Sequence, residues 1–306
     1  MTREESIKDV LANKELLYAK KTSTLKHGDV VFGCYGEVNH KTEVIKQDGN
    51  GQAMELGTMK LGLCINTTNV IDSHMDCHIP GLWKKSLQEM KTLYLLQEHE
   101  MEFEYVIADN VNNDFTASTK KMPWSKLGAS YEGSTEALVF DVTIDNKRNP
   151  FMFEQYKNGY VLNHSVGMRY VKLFLCVDTN EPSYASEKAN WDKYYPQVVN
   201  KEVADNYGYF WAVTEAKVVE GSAVVKGSNA ITPVISIVEN ANKEYCDTCE
   251  AETDTMTVDN GNGLCKGCGT RRKEAAKSTS NNEPSKDTQE GKEAPALDWS
   301  KVISNF

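Results

Sequence analysis

Four cysteines in the last quarter of the chain have the spacing of a metal site. Cys246 and Cys249 form one C-x₂-C pair and Cys265 and Cys268 a second, with fifteen residues between the pairs. Each pair offers two thiolates to one tetrahedral ion. Four soft sulfur ligands with no open position suit a structural Zn²⁺ rather than a catalytic one. Gly261, Gly263 and Gly267 supply the tight turns such a module needs. A small zinc-ribbon-like module over residues 241–269 is expected, folding only with its metal. The basic run Lys266, Arg271, Arg272 and Lys273 beside it reads as a solvated face, and the other cysteines, Cys34, Cys64, Cys77 and Cys176, read as unassigned thiols.

The histidines offer a second kind of chemistry. His74 and His78 share the stretch DSHMDCHIPG with Asp72 and Asp76, which has the residue types of a metal cluster. An i, i+4 histidine pair converges only on a helix, however, and Pro80 with Gly81 argues against one, so a turn is expected. In NHSVGMRYV, His164 adjoins Ser165, as if nucleophile and base were side by side. Successive side chains of a strand point to opposite faces, so in an extended run His164 turns away from Ser165 and the base must come from elsewhere. His99, in LLQEHEMEFE, is the best remaining donor. On local sequence alone, between Glu98 and Glu100, it reads first as an exposed, charged strand end.

The elements that would carry these residues are mostly strands. The runs LGLCINTTNVI, MEFEYVIA, ALVFDVTI and GMRYVKLFLCV are rich in β-branched and aromatic residues and are separated by Gly, Asn and Asp clusters. YFWAVTEAKVVEGSAVVKG and TPVISIV continue the pattern to about residue 238. Helical character interrupts at GLWKKSLQEM, NPFMFEQYKN and SEKANWDKYYPQVVNKEVADNYG, the last broken by Pro196. Residues 1–56 read as a lead-in, with a helix from about Glu5 to Ala19 and a strand-like VVFGCYG. The main domain spans residues 57–240. Residues 270–296 contain no aromatic residue and no Val, Ile, Leu or Met, too little apolar surface to offset ordering entropy, so a disordered tail over 270–306 is expected. It ends in an apolar peptide, LDWSKVISNF, suited either to docking or to packing back on its own domain as a terminal strand or helix.

Composition narrows the function classes. With 306 residues, 40% apolar and 25% charged, the chain is ordinary globular material. Its 34 Lys and Arg against 44 Asp and Glu give a net charge of -10, so nucleic-acid binding is not expected. The longest apolar run, Tyr209 to Val213, is five residues where a membrane span needs about 20, and no membrane association is expected. The amino terminus, MTREESIKDV, has neither part of a secretory signal, which implies an intracellular protein.

Four stretches in order, VIDSHMDCHIPGLWKKSL, LLQEHEMEFEYVIAD, NHSVGMRYVKLFLCV and FWAVTEAKVVEGSAVVKGSNAITP, resemble the tailed-phage prohead protease family, relatives of the herpesvirus assemblin. The similarity runs from about Leu61 to Pro233. It implies a serine endopeptidase enclosed in the immature capsid within the bacterial cytoplasm. There it would cut scaffold, extensions of the major capsid protein and its own chain; self-association is left open. The implied fold is α+β, a closed and mainly antiparallel β-barrel with flanking helices. The resemblance maps the family's serine, in its serine-x-glycine motif, onto Ser165 with Gly167, its histidine onto His99, and the acid of its late E-x-S motif onto Glu220. About thirty extra residues between Cys176 and Tyr209 leave Glu215 as a rival for the third position. No catalytic cofactor is implied. The alternative is an inactive internal head or scaffold protein with the zinc module as adaptor.

Overall fold

The computed structural model describes residues 2–23, 25, 43–47, 57–90, 92–112, 115–240, 243–246, 251–257 and 263–265. They divide into two compact units, Met1–Asn242 and Lys243–Phe306.

The first unit opens with two helices, α1 (Arg3–Ala12) and α2 (Lys14–Ser23), where the sequence suggested one. A capping box starts α1: the Thr2 hydroxyl accepts from the Glu5 N–H, and the Glu5 carboxylate accepts from the Thr2 N–H. Asn13, whose side chain bonds back to Asp9, marks the break between the helices. Both helices are fastened to the rest of the unit by charge, α1 through Arg3 to Asp178 and α2 through two lysines. Lys14 pairs with Glu187, and Lys21, almost fully buried, pairs with the fully buried Asp76.

Strands β1 (Glu43–Gln47), β2 (Thr58–Thr67), β3 (Asp76–His78), β4 (Tyr94–Gln97), β5 (Val106–Asp109), β6 (Phe115–Pro123), β7 (Ser134–Asp145), β8 (Asn163–Val177), β9 (Tyr209–Val224) and β10 (Val234–Asn240) form two sheets. The first has the order β1-β10-β2-β7-β6. In the second, β9 is the spine. β8 runs antiparallel along one edge of it, while β3 and β4 take successive stretches of the other edge in parallel, and β5 pairs with β4. Leu61, Leu63, Phe140 and Val142 from the first sheet and Val166, Met168, Trp211 and Val213 from the second belong to one apolar core. Burying such side chains, at roughly 1.5–3 kcal/mol each, is what holds the sheets together.

Four helices fill the connections: α3 (Lys84–Glu89), α4 (Pro150–Lys157), α5 (Ala185–Tyr194) and α6 (Lys201–Tyr207). Asn149 caps α4 through the Met152 N–H, with Pro150 at the first helical position. Pro196 sits in a short 3₁₀ turn between α5 and α6, and α6 ends at Gly208 with φ +73°, which turns the chain into β9.

The architecture is mixed α+β, and two expectations need correction. A closed barrel does not form among the described residues: the first sheet ends at β1 and β6, and the second at β8 on one side and at β3 and β5 on the other. Alternation in sequence tells which face of a strand is buried but not whether the sheet closes. In β6, Lys120 and Lys121 lie exposed on an edge strand, a common guard against further pairing. The run MEFEYVIA is a strand only from Val106. Phe103–Tyr105 is a 3₁₀ turn, and the Phe103 side chain lies in solvent. No helix among the described residues is long and apolar enough to cross a membrane.

In the second unit, β11 (Lys243–Cys246), β12 (Ala251–Thr257) and β13 (Gly263–Cys265) make an antiparallel meander. Cys246 ends β11 opposite Ala251, and Cys265 ends β13 opposite Thr255. Cys249 and Cys268, the side chains of Cys246 and Cys265, the VVFGCYG stretch with Cys34, and residues 266–306 lie outside the described residues.

Candidate active site

The pairing of β8 with β9 sets Ser165 opposite Ser222 and Gly167 opposite Glu220. Residues directly opposed in an antiparallel pair share a face, as do residues two apart. Ser165, Gly167, Glu220 and Ser222 therefore share one face, and His164, opposite Ala223, belongs to the other. Just beyond Gly167 the register shifts, a local irregularity of the kind that re-aims side chains beside functional sites.

His99 reaches this face from the other edge of β9. β4 lies parallel to β9 with Leu96 beside Ser222 and Gln97 beside Ala223, and the Glu98 N–H donates to the Ala223 carbonyl at 2.9 Å. There the chain turns back. Glu98 and His99 take φ values of 50° and 62°, and the Glu100 N–H closes on the Gln97 carbonyl at 3.0 Å. Two successive left-handed residues that are not glycine cost about 1–3 kcal/mol each, at positions Gly or Asn would fill more readily.

The strained turn places the imidazole against an acid. His99 Nδ1 lies 2.6 Å from Glu220 Oε1, with side-chain exposures of 10% and 0%. A carboxylate can only accept, so Nδ1 carries a proton, and in the neutral imidazole the lone pair is on Nε2. The second carboxylate oxygen, Oε2, accepts from Ser222 Oγ at 2.6 Å, and Ser222 Oγ accepts from the backbone N–H of His99 at 3.1 Å.

One glycine makes room for this arrangement: a Cβ on Gly167 would overlap the Glu220 carboxylate. On the opposite face, a Cβ on Gly221 would run into the ring of Phe140 in the apolar core. Gly227 passes close to the serine; a Cβ there would stand 3.0 Å from the His164 carbonyl oxygen and 3.6 Å from Ser165 Cβ. Ser165 itself is 6% exposed.

The rival residues lie elsewhere. Glu215 faces Lys172 across the β8–β9 pair and forms ion pairs with Lys85 and Lys172. His164 is fully buried with both ring nitrogens engaged: Nδ1 donates to the Thr232 carbonyl at 3.0 Å, so Nε2 accepts from the Tyr156 hydroxyl at 3.0 Å. Met168 and Arg169 continue β8 opposite Val218 and Lys217.

The Asp72–His78 loop is a turn followed by β3. Asp72 Oδ1 accepts from the backbone N–H groups of His74 and Asp76, and Met75 takes φ 61°. Tyr170 donates its hydroxyl proton to Asp76 at 2.8 Å, and burial pushes His78, 3.4 Å from that hydroxyl, down to about 4. Among the described residues, no group of three or more His, Cys, Asp or Glu side chains is arranged to hold a metal ion.

Tyr94 of β4 and, after His99 in the chain, Met101, Glu102, Phe103, Glu104 and Val106 line an open recess of about 710 Å³. Its walls are apolar and its charged groups acidic.

Ser222 is the site residue that local sequence reasoning did not single out. Its signal was the alternation in Glu220-Gly221-Ser222, which sets the acid and the hydroxyl on one face two residues apart. No family model, curated protein or solved structure matches the chain.

Proposed function

We propose that the chain is a serine endopeptidase in which Ser165 is the nucleophile, His99 the general base and Glu220 the residue that orients the imidazole. One observation carries this reading. An almost fully buried carboxylate–imidazole pair, held by a strained turn, is joined to the strand face that bears a serine. A hydroxyl is a poor nucleophile until a base takes its proton. An imidazole fixed through Nδ1 presents Nε2 for that task.

In the proposed reaction, Ser165 Oγ attacks the peptide carbonyl as its proton passes to His99 Nε2. The tetrahedral intermediate collapses to an acyl-enzyme when the amine leaves with that proton. Water, activated by the same nitrogen, then releases the acid and restores the serine. Glu220 stabilises the imidazolium present between these steps without becoming protonated.

The resemblance of the four sequence stretches to prohead proteases supports a narrower assignment: maturation of a phage head within the bacterial cytoplasm. The substrates would be the scaffold, extensions of the major capsid protein and the chain itself, all inside the assembling procapsid. Cys246, Cys249, Cys265 and Cys268 are proposed to hold a structural zinc ion, on the strength of their spacing.

The general reading is tested by treating the purified full-length protein with a fluorophosphonate probe and mapping the adduct by peptide mass spectrometry. Modification of Ser165 that disappears in His99→Ala is expected. Modification of another serine, or equal labelling of His99→Ala, counts against the triad. The narrower assignment is tested by co-expression with the major capsid protein and scaffold. Cuts made by the wild type and not by Ser165→Ala support it, and intact substrates in both refute it.

A further inference from the structure

We infer that Ser222 is a positioning residue of the same site, its one hydroxyl holding both members of the acid–base pair in register. This rests on the peptidase reading. A serine hydroxyl has one proton and two lone pairs, and here the proton goes to Glu220 Oε2 at 2.6 Å while a lone pair takes the His99 backbone N–H at 3.1 Å. Glu220 is thus held at Oε2 by Ser222 and at Oε1 by His99. His99 is tied to the same hydroxyl through its main chain.

The second tie matters because of where it acts. His99 stands at φ 62° directly after Glu98 at φ 50°, a conformation that needs external restraint. Two backbone bonds run from this turn to β9, the Glu98 N–H to the Ala223 carbonyl and the His99 N–H to Ser222 Oγ. The first fixes the start of the turn and the second fixes the residue that carries the imidazole. Ser222 is fully buried and faces Ser165 across the strand pair, so water cannot easily replace its hydroxyl. Its side chain serves the acid and the base rather than the substrate. Losing it loosens the imidazole without removing a substrate contact, and small misplacements of reacting groups reduce rates by about 10- to 100-fold.

The test compares full-length wild type with Ser222→Ala, a substitution that removes a single buried oxygen. The limiting rate of fluorophosphonate labelling is expected to fall about 10- to 100-fold, with the half-saturating probe concentration within about twofold of wild type. A second readout does not depend on activity: the far-downfield proton resonance of His99 Nδ1–H, assigned by its absence from His99→Gln. It is expected to persist in Ser165→Ala and to shift or broaden in Ser222→Ala. A folded Ser222→Ala protein with an unchanged resonance and labelling rate overturns the inference, as does a variant altered only in probe affinity. If the wild type is not labelled at all, the peptidase reading fails, and the resonance alone decides whether Ser222 positions the pair.

Discussion

The carboxylate of Glu220 occupies the space that a side chain on Gly167 would fill. The two residues are directly opposed across β8 and β9, and a Cβ on Gly167 would overlap Glu220 Oε1 and crowd its Cδ and Cγ. The spacing of a serine and a glycine two residues apart thus has a steric reason. One residue supplies the hydroxyl, and the next on the same face must be absent as a side chain for the acid to lie against the sheet and meet His99.

Gly167→Ala should therefore displace Glu220 without unfolding the protein. The Ser165 labelling rate is expected to fall by about 100-fold or more, as for loss of the orienting acid. Melting should drop by only a few degrees, because overpacking one methyl costs about 1–3 kcal/mol. Labelling within about threefold of wild type would remove the steric account of the glycine.

His164 should behave in the opposite way. Its two hydrogen bonds, to Thr232 and Tyr156, are buried, and His164→Ala would leave a cavity and an unsatisfied hydroxyl. A loss of about 2–4 kcal/mol is expected in denaturant unfolding. Measured well below the melting temperature, the labelling rate should stay within about threefold of wild type. Normal stability with abolished labelling would make His164 the base and return the assignment of His99 to question.

The sequence was most legible where β-branched and aromatic residues cluster. GMRYVKLFLCV and YFWAVTEAKVVEG are read as strands on that richness, and they become β8 and β9, buried along most of their length. The break at Pro196 follows from a ring that cannot continue a helix. β6 was illegible because FTASTKKMP is polar along an edge, with only Phe115 and Met122 buried. The turn at His99 was illegible for a different reason. Gln97-Glu98-His99-Glu100 contains no Gly, Asn or Pro to announce it, and it is held by tertiary bonds to Ser222 and Glu220, which lie over 120 residues away in the chain. Alternation placed Ser165 away from His164, but that Glu220 rather than Glu215 lies against His99 is a tertiary contact that local sequence does not show.

The four-cysteine spacing predicts one zinc ion per chain, measurable by elemental analysis of protein purified without chelator. Replacing Cys246 and Cys249 together by Ser should abolish it. Because the site is expected to be structural, metal removal should leave Ser165 labelling within about threefold of wild type. A zinc-dependent labelling rate would instead tie the metal to the chemistry.

Asp72 gives a pH prediction whose sign can be worked out. Burial first, and then the charge of Asp76, push its carboxyl up to about 7, against opposing hydrogen bonds from the Asp76 and His74 amides and the charge of Lys21. In the unfolded chain the same group ionises near its ordinary value of 3.8. Between those values the folded state holds the proton more tightly, so Asp72's stabilising contribution is full below about pH 4 and is lost as pH rises through about 7. Asp72→Asn keeps an acceptor for the His74 and Asp76 amides and cannot ionise. Its melting temperature should match wild type near pH 4 and exceed it by roughly 3–6 °C at pH 8. Asp76, Lys21, His74 and His78, whose charges also bear on this turn, are present in both proteins. Taking the difference between variant and wild type at each pH therefore largely cancels their own titration. A gap that stays constant from pH 4 to 8, or one that narrows, would mean that Asp72 is ionised in the fold throughout, held by Lys21 more strongly than burial opposes it.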